Sequence, residues 1–433
     1  MDASDTHRAV RAVFRIESAR LIAGVARIVR DVGLAEELAQ DALVAALEQW
    51  PESGVPENPG AWLMAAAKNR AINALRRDRM KDRRHRELLF EIEAVARRDD
   101  AVTHLEEAID DDVGDDLLRL VFTACHPLLP TEGRVALTLR LLGGLSTEEI
   151  ARAFLVPEPT IAQRIVRAKR TLADKQVPFE VPRGADLAPR LSSVLEVIYL
   201  VFNEGYSATA GDHLMRQELC HDALRLGRIL AELEPEQPEV HGLVALMEIN
   251  ASRAGARTGP SGEPVLLLDQ DRSRWDRLLV RRGLAALERA EALADARGPY
   301  VLQARIAACH AVARTPVDTD WTRIASLYGE LAELTRSPVV ELNRAVAVSM
   351  AEGPAAGLAL IDALTSEPAL QGYHLLPSAR ADLLEKLGRY AEARIEFERA
   401  AALARNARQR QRLCERAAAC AQQSPSRDCP PRT

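Results

Sequence analysis

The sequence predicts an all-α chain. Aromatic residues make up 4% of it while alanine, leucine and arginine dominate, a composition that suits helices better than sheets built from aromatic and β-branched residues. Apolar residues recur at helical steps through most of the length, and prolines and glycines gather at the junctions between those stretches. Size fits as well, since 433 residues with 47% hydrophobic and 28% charged content give a globular chain with several cores. No run approaches the roughly 18 apolar residues of a membrane span. The first turn holds Asp2, Asp5, Arg8 and Arg11 where a signal peptide would be apolar, so a cytoplasmic chain is expected. Six cysteines without a C-x-x-C pair fit neither a disulfide framework nor a zinc ribbon and are expected to be buried thiols.

Residues 7 to 50 read as helices, with Val25, Ile28 and Val29 on one face and Leu34, Leu38, Leu43 and Leu47 following at helical steps. PESGVPENPG, Pro51 to Gly60, holds too many helix breakers for a helix to cross. The next helix, AWLMAAAKNRAINALRRDR, is expected to bury Trp62, Ala65, Ala66, Asn69, Ile72 and Leu75 and to end in the cations that a helix C-terminus favours. Net charge is -6, but its distribution matters more than its sum. Between Trp62 and Arg86 nine basic residues face only Asp78 and Asp82, a patch large enough for a polyanion. Between Asp99 and Asp116 there are nine acids and no Lys or Arg, and this self-repelling block marks a flexible linker over 87–116.

The clearest local signal lies in 117–175. Ser146-Thr147-Glu148-Glu149 has the form of a capping box and starts a short helix with Ile150, Ala151 and Phe154 inward. Val156-Pro157-Glu158-Pro159 forces a turn, and a second helix follows from about Thr160 to Leu172. This is a helix-turn-helix pattern. Ile161, Ile165, Ala168 and Leu172 share one face of the second helix, leaving Thr160, Gln163, Arg164 and Arg167 on the other, with Lys169 and Arg170 beside them and no acid. Amide and guanidinium groups on such a face can bond base edges and phosphates in a major groove. An ordinary helical hairpin with a solvated polar face would read the same way locally.

Taken together, two basic helical modules, their order and the acidic linker resemble the extracytoplasmic-function sigma factors of the sigma-70 family, over roughly residues 8 to 175. GLAEELAQDALVAALEQW (Gly33 to Trp50) is similar to the domain 2 helix that docks on the RNA polymerase clamp. NPGAWLMAAAKNRAINALRR (Asn58 to Arg77) is similar to the segment that melts and reads the -10 element. LPTEGRVALTLRLLGGLSTEEIARAFLVPEPTIAQRIVRAKRTL (Leu129 to Leu172) is similar to domain 4, which reads the -35 element and touches the polymerase flap. The resemblance implies core RNA polymerase and promoter DNA as partners. It implies core polymerase binding through Glu37, Gln40 and Asp41, and a flipped non-template base held by the Pro51 to Pro59 loop. The -10 track expected from charge and polarity is Lys68, Asn69, Arg70, Asn73, Arg76 and Arg77, since single-strand binders pair cations with a polar surface. Domain 2 is expected over 7–86 and domain 4 over 117–175.

Such chains commonly stop soon after domain 4, whereas this one continues, so it resembles the subgroup with a long C-terminal helical extension, expected over 185–422. IYLVFNEGYSATAGD (Ile198 to Asp212) is similar to the opening of that extension. LLEKLGRYAEARIEFERAAAL (Leu383 to Leu403) resembles a tetratricopeptide helix pair in which Gly388 allows close approach and Tyr390, Ala393, Phe397 and Ala400 interlock. Gly353 lies one repeat earlier, and WTRIASLYGELAEL (Trp321 to Leu334) reads as the first helix of a preceding pair. Partner binding is the default role of such a superhelix, so a regulatory protein on the extension is an expected partner.

Cys125-His126, Cys220-His221 and Cys309-His310 invite a metal reading, but adjacent helical residues point about 100° apart and give one ligand each, so no metal is expected. Asn203-Glu204-Gly205-Tyr206 reads either as a partly buried ligand site or as a helix-ending turn in which Gly205 is left-handed. No phosphate-binding loop, dinucleotide fingerprint, zincin motif or nucleophile elbow occurs, so neither an enzyme nor a cofactor is expected. Two other functions fit the same residues: a helix-turn-helix regulator acting without polymerase, and a tetratricopeptide scaffold.

Overall fold

The computed structural model of the chain describes residues 3–89, 113–154, 156–206, 216–259, 265–294, 296–404 and 406–423. These residues are predominantly helical, with no β-strand among them. They divide into two compact units, Met1–Leu200 and Val201–Thr433.

The first unit opens with α1 (Ala3–Val29), α2 (Val32–Ser53) and α3 (Pro59–Leu89), which pack on one another as a three-helix bundle. Leu21, Ile22, Val25 and Ala26 form the buried face of α1. On α2 burial falls on Ala35, Leu38, Ala39, Ala42, Ala46 and Trp50, while Leu34, Leu43 and Leu47 are only half-buried. The sequence pattern picked out the leucines. The helices instead meet on the alanine face, where small side chains let backbones come close. On α3 the buried line is Leu63, Ala67 and Ala71, and Ala65 and Asn69 are exposed, so the stripe lies rotated from the expected one. Trp62 is half-buried with its ring edge-on to Trp50 at 5.5 Å. Helix α2 carries Pro51 in its last turn instead of stopping before it, and Gly54 at φ +84° ends it by donating to the Trp50 carbonyl.

Next comes α4 (Val113–Ala124), which starts inside the acidic block and packs on α1. The linker expected over 87–116 is therefore too long at its C-terminal end. Asp115 and Asp116 sit in the first turn of α4, where the helix dipole favours acids, and Asp116 is buried against Arg27 at 3.3 Å and Arg119 at 2.5 Å. The block from Asp99 to Asp112 lies outside the described residues, as do the side chains of Arg79, Lys81, Arg83, Arg84 and Arg86. Helices α5 (Thr131–Leu141), α6 (Thr147–Phe154) and α7 (Glu158–Asp174) complete a second core around Leu120, Phe122, Leu137, Leu139, Ile150 and Ile161. The early turns of α8 (Leu187–Tyr206) also belong here. Ser193 Oγ donates to the Cys125 carbonyl at 2.6 Å, Arg190 donates to the Phe122 carbonyl at 2.9 Å, and Arg134 donates to Ser193 at 2.5 Å and to Glu196 at 2.9 Å.

The second unit takes the end of α8 and then ten further helices: α9 (Gln217–Leu233), α10 (Pro238–Ala251), α11 (Arg277–Ala292), α12 (Pro299–Val312), α13 (Trp321–Thr335), α14 (Pro338–Glu352), α15 (Pro354–Leu364), α16 (Leu375–Lys386), α17 (Tyr390–Leu403) and α18 (Ala407–Gln423). Successive helices from α13 onward pack as hairpins. Ala393, Phe397 and Ala400 are fully buried between α16, α17 and α18, with Tyr390 packed against them. Gly388 plays a different part from the expected one: nothing lies within 4 Å of where a β-carbon would stand, and its φ of +75° makes the turn into α17. Close approach falls to Gly205 and Gly242, where a β-carbon would sit 2.6 Å from the Cys220 nitrogen and 2.7 Å from the Val301 nitrogen. Gly205 is thus a helical residue packed on α9 and not a left-handed cap.

Candidate nucleic-acid interface

The helix-turn-helix is built locally. The Ser146 nitrogen donates to Glu149 Oε2 at 2.7 Å and the Glu149 nitrogen donates to Ser146 Oγ at 3.1 Å, a reciprocal box that fixes the first turn of α6. Pro157 precedes α7 and Pro159 lies in its first turn, positions where a missing N–H costs nothing. Ile161, Ile165, Ala168 and Leu172 are buried, seating α7 on the second core. Gln163, Arg167 and Arg170 are exposed, and Thr160, Arg164 and Lys169 are half-exposed. Arg170 pairs with Asp174 at 3.3 Å. Val166 stands 63% exposed between Arg167 and Ile165, an apolar group on the polar face that periodicity assigned to neither side. Such a group suits contact with a thymine methyl.

On α3 the track is presented along one helix. Asn69, Asn73, Arg76 and Arg77 are exposed, while Lys68 and Arg70 are half-buried. Arg70 donates to the Ala66 carbonyl at 3.0 Å and Arg77 to the Asn73 carbonyl at 3.3 Å.

On α2, Glu37 and Asp41 are exposed and Gln40 is half-buried. Their neighbour Glu36 carries no sequence signal of its own, yet it is 4% exposed and is one of the contacts between the two modules of the unit, beside the Arg27–Asp116 pair. Its Oε1 accepts from Arg140 Nε of α5 at 2.6 Å and from Gln40 Nε2 at 2.7 Å, and its Oε2 pairs with Lys169 of α7. The expected polymerase-facing residue Gln40 and the expected DNA-facing residue Lys169 thus share one buried carboxylate. No local pattern could reveal this, because the partners lie in different modules. Asp31, the N-cap of α2, accepts from the Leu34 nitrogen at 2.8 Å and starts the helix that carries Glu36. Beside this junction a cavity of about 820 Å³ is lined by Arg27, Arg30, Arg119 and Lys169.

Burial of titratable groups nearby is strong. Desolvation pushes the Cys125 thiol up to about 11, partly offset by its contact with Thr138, so it stays protonated. His126 is pushed down to about 4 by burial and by Arg190. Among the described residues no three His, Cys, Asp or Glu side chains cluster as metal ligands.

Comparison with known families places this geometry. Residues 14–80 match Sigma-70 region 2, and residues 119–172 match Sigma-70, region 4. A curated relative, an uncharacterized protein of Rhizobium meliloti (strain 1021), is 45% identical over 383 residues, covering 88% of each chain. The chain belongs to the sigma-70 family. Its architecture is that of an extracytoplasmic-function-like sigma factor with a C-terminal extension, and the opening of that extension, residues 190–291, matches a family of unknown function (DUF6596). Sigma-70 regions 2 and 4 make it a factor of transcription initiation, with core RNA polymerase and promoter DNA as the implied partners. No solved structure matches the chain. Among the described residues no helix of this sigma-70 protein is long and apolar enough to cross a membrane.

Proposed function

We propose that this chain docks on the polymerase clamp through Glu37, Gln40 and Asp41 of α2 and reads the -35 element with Thr160, Gln163, Arg164, Arg167, Lys169 and Arg170 of α7. In the same proposal Lys68, Asn69, Arg70, Asn73, Arg76 and Arg77 of α3 open and hold the -10 element, the Pro51 to Pro59 loop takes the flipped base, and domain 4 touches the flap. The polymerase performs the chemistry and the chain acts in the cytoplasm without enzymatic activity of its own. The domain limits proposed are 7–86 and 117–175, with the helical extension over 185–422 modulating activity through a partner.

The observation that carries this reading is the outward face of α7, where Thr160, Gln163, Arg164 and Arg167 stand with no acid among them between the terminal Glu158 and Asp174, seated by four buried apolar residues and preceded by a closed capping box. The Glu36 junction sets a condition on it. Elements centred near -10 and -35 are about 25 base pairs apart, roughly 85 Å at about 3.4 Å per pair. Modules held by the Glu36 junction, the Arg27–Asp116 pair and the packing of α4 on α1 cannot occupy both, so productive binding requires these contacts to release.

Transcription in vitro with purified core polymerase, the full chain and a library of random promoter DNA tests the proposal. Core-dependent transcripts sharing a two-element motif support it. Sequence-specific footprints without core polymerase would replace it with a helix-turn-helix regulator, and neither result from a folded chain would replace it with a scaffold.

A further inference from the structure

The second unit half-buries three arginines with which no carboxylate makes a direct ion pair among the described residues. Arg253 and Arg257 follow α10, and Arg272 lies in the segment before α11; all three are half-buried. The Arg253 guanidinium carbon is 5.7 Å from the centre of the Tyr206 ring and 5.9 Å from that of Trp275. Arg257 lies 3.6 Å over Tyr206 and Arg272 4.9 Å over Trp275. Three cations therefore surround two aromatic rings.

Their hydrogen-bond partners are all neutral. Arg253 donates to Tyr206 Oη at 2.5 Å and to Asn250 Oδ1 at 2.7 Å, and Arg257 donates to the Tyr206 carbonyl. Arg272 donates to the carbonyls of His310 at 2.5 Å and Ala313 at 2.7 Å. Among the described residues no carboxylate pairs with any of the three; Glu204, on the same helix as Tyr206, is taken by Arg216. Three N–H groups in the cluster, Arg253 Nε, Arg272 Nε and Trp275 Nε1, are buried without an acceptor, and the Trp275 side chain is 5% exposed. Burial, together with repulsion from Arg253, pulls the Arg257 and Arg272 guanidinium groups below their ordinary range, with Asp318 offsetting part of the effect on Arg272. Buried arginines are ordinarily paired, because an uncompensated buried charge is destabilising. Three kept together, with unsatisfied donors between them, are arranged to receive negative charge.

We infer that Arg253 and Arg257, supported by Arg272 and the Trp275 N–H, form a binding site for a small phosphate-bearing molecule. Guanidinium forks match phosphate oxygens in pairs, and more than one cation within reach suits more than one negative charge. Arg272, tied to two carbonyls, is the positioning cation, while Arg253 and Arg257 are half-buried and bond neutral groups alone. Arg253, Arg257, Arg272, Tyr206 and Trp275 all fall within 190–291, with only the His310, Ala313 and Thr319 partners of Arg272 outside it, so the site offers the matched family of unknown function a chemical role: sensing an anionic small molecule. The inference does not depend on promoter recognition.

Thermal unfolding of the full chain tests it, in chloride of matched ionic strength and in rising inorganic phosphate, pyrophosphate or ADP. A saturable rise in Tm with at least one of these supports the site, and which probe saturates lowest separates free phosphate from a diphosphate ester. In Arg253→Gln/Arg257→Gln the rise disappears, and without ligand that variant melts no lower than the parent, because a repulsion has been removed. Arg257→Lys keeps the charge and weakens saturation by tenfold or more. Absence of a saturable rise with all three probes in the parent chain overturns the site whatever the variants do, as does an equal rise in the double variant.

Discussion

Glu36 of α2 and Lys169 of α7 form a buried ion pair that links the region 2 bundle to the helix expected to enter the major groove. Arg140 of α5 completes the arrangement from the other side of the carboxylate at 2.6 Å. A carboxylate enclosed by two cations is a good latch because removing its charge leaves both without that counter-charge.

Glu36→Gln is therefore expected to loosen the first unit. The loss is about 2 kcal/mol, since the cations keep part of their hydration. Small-angle scattering of the free protein should show a larger radius of gyration for the variant, and core-dependent transcription should rise. An unchanged radius would show that the Arg27–Asp116 pair and the packing of α4 on α1 hold the modules without it.

Arg167→Ala and Val166→Ala should weaken -35 recognition without unfolding α7, because neither side chain is buried. Loss of a base or phosphate contact by Arg167 is worth about 1–3 kcal/mol, or roughly 5- to 150-fold in binding. Val166→Ala should relax preference at one T·A position while leaving the salt dependence unchanged. Binding of the polymerase holoenzyme to promoter fragments at two salt concentrations separates these effects.

Asn69→Ala and Asn73→Ala remove exposed amides from α3. Both should slow promoter opening, read by permanganate reactivity of unpaired thymines, more than they weaken the closed complex. Equal losses in the two assays would move these residues from strand capture to simple docking.

Ser146→Ala breaks one half of the capping box and is expected to cost about 1 kcal/mol. Thermal unfolding of the full chain measures the loss, and Ser146→Asp, which restores an acceptor at the cap, should recover most of it.

His310 is held down to about 4 by burial and by Arg253 and Arg272. Its ordinary value is about 6.5, so in the intervening pH range the unfolded chain binds the proton more readily than the folded one. The stability it contributes is complete above pH 6.5 and falls away as the pH drops toward 4. His310→Gln should flatten that part of the Tm profile relative to the parent chain, whereas identical profiles would show that other groups govern the acid limb.

What was legible in the sequence was what is decided within a few residues. The box at Ser146 and Glu149, the prolines before α7 and the apolar spacing of Ile161, Ile165, Ala168 and Leu172 all act over one or two turns, and the structure keeps each of them. Faces chosen by side-chain size were less legible. Leucine outweighs alanine in any periodicity count, yet α2 buries Ala35, Ala39 and Ala42 because its neighbours come too close for larger groups. Contacts between distant segments were not legible at all. Nothing around Glu36 distinguishes it from Glu37, and nothing around Arg253, Arg257 and Arg272 signals that they share two aromatic rings.

The alanine face of α2 also bears on how this protein can drift. Ala35, Ala39, Ala42 and Ala46 keep no exposed surface, so each added methylene must displace a neighbouring backbone, a change that typically costs about 1–3 kcal/mol. Most residues one base change away from alanine are larger or charged, and glycine, the smaller neighbour, weakens a helix interior by about 1 kcal/mol. The bundle that would meet the polymerase is thus least tolerant where its side chains are smallest, and surviving variation should collect on its exposed positions.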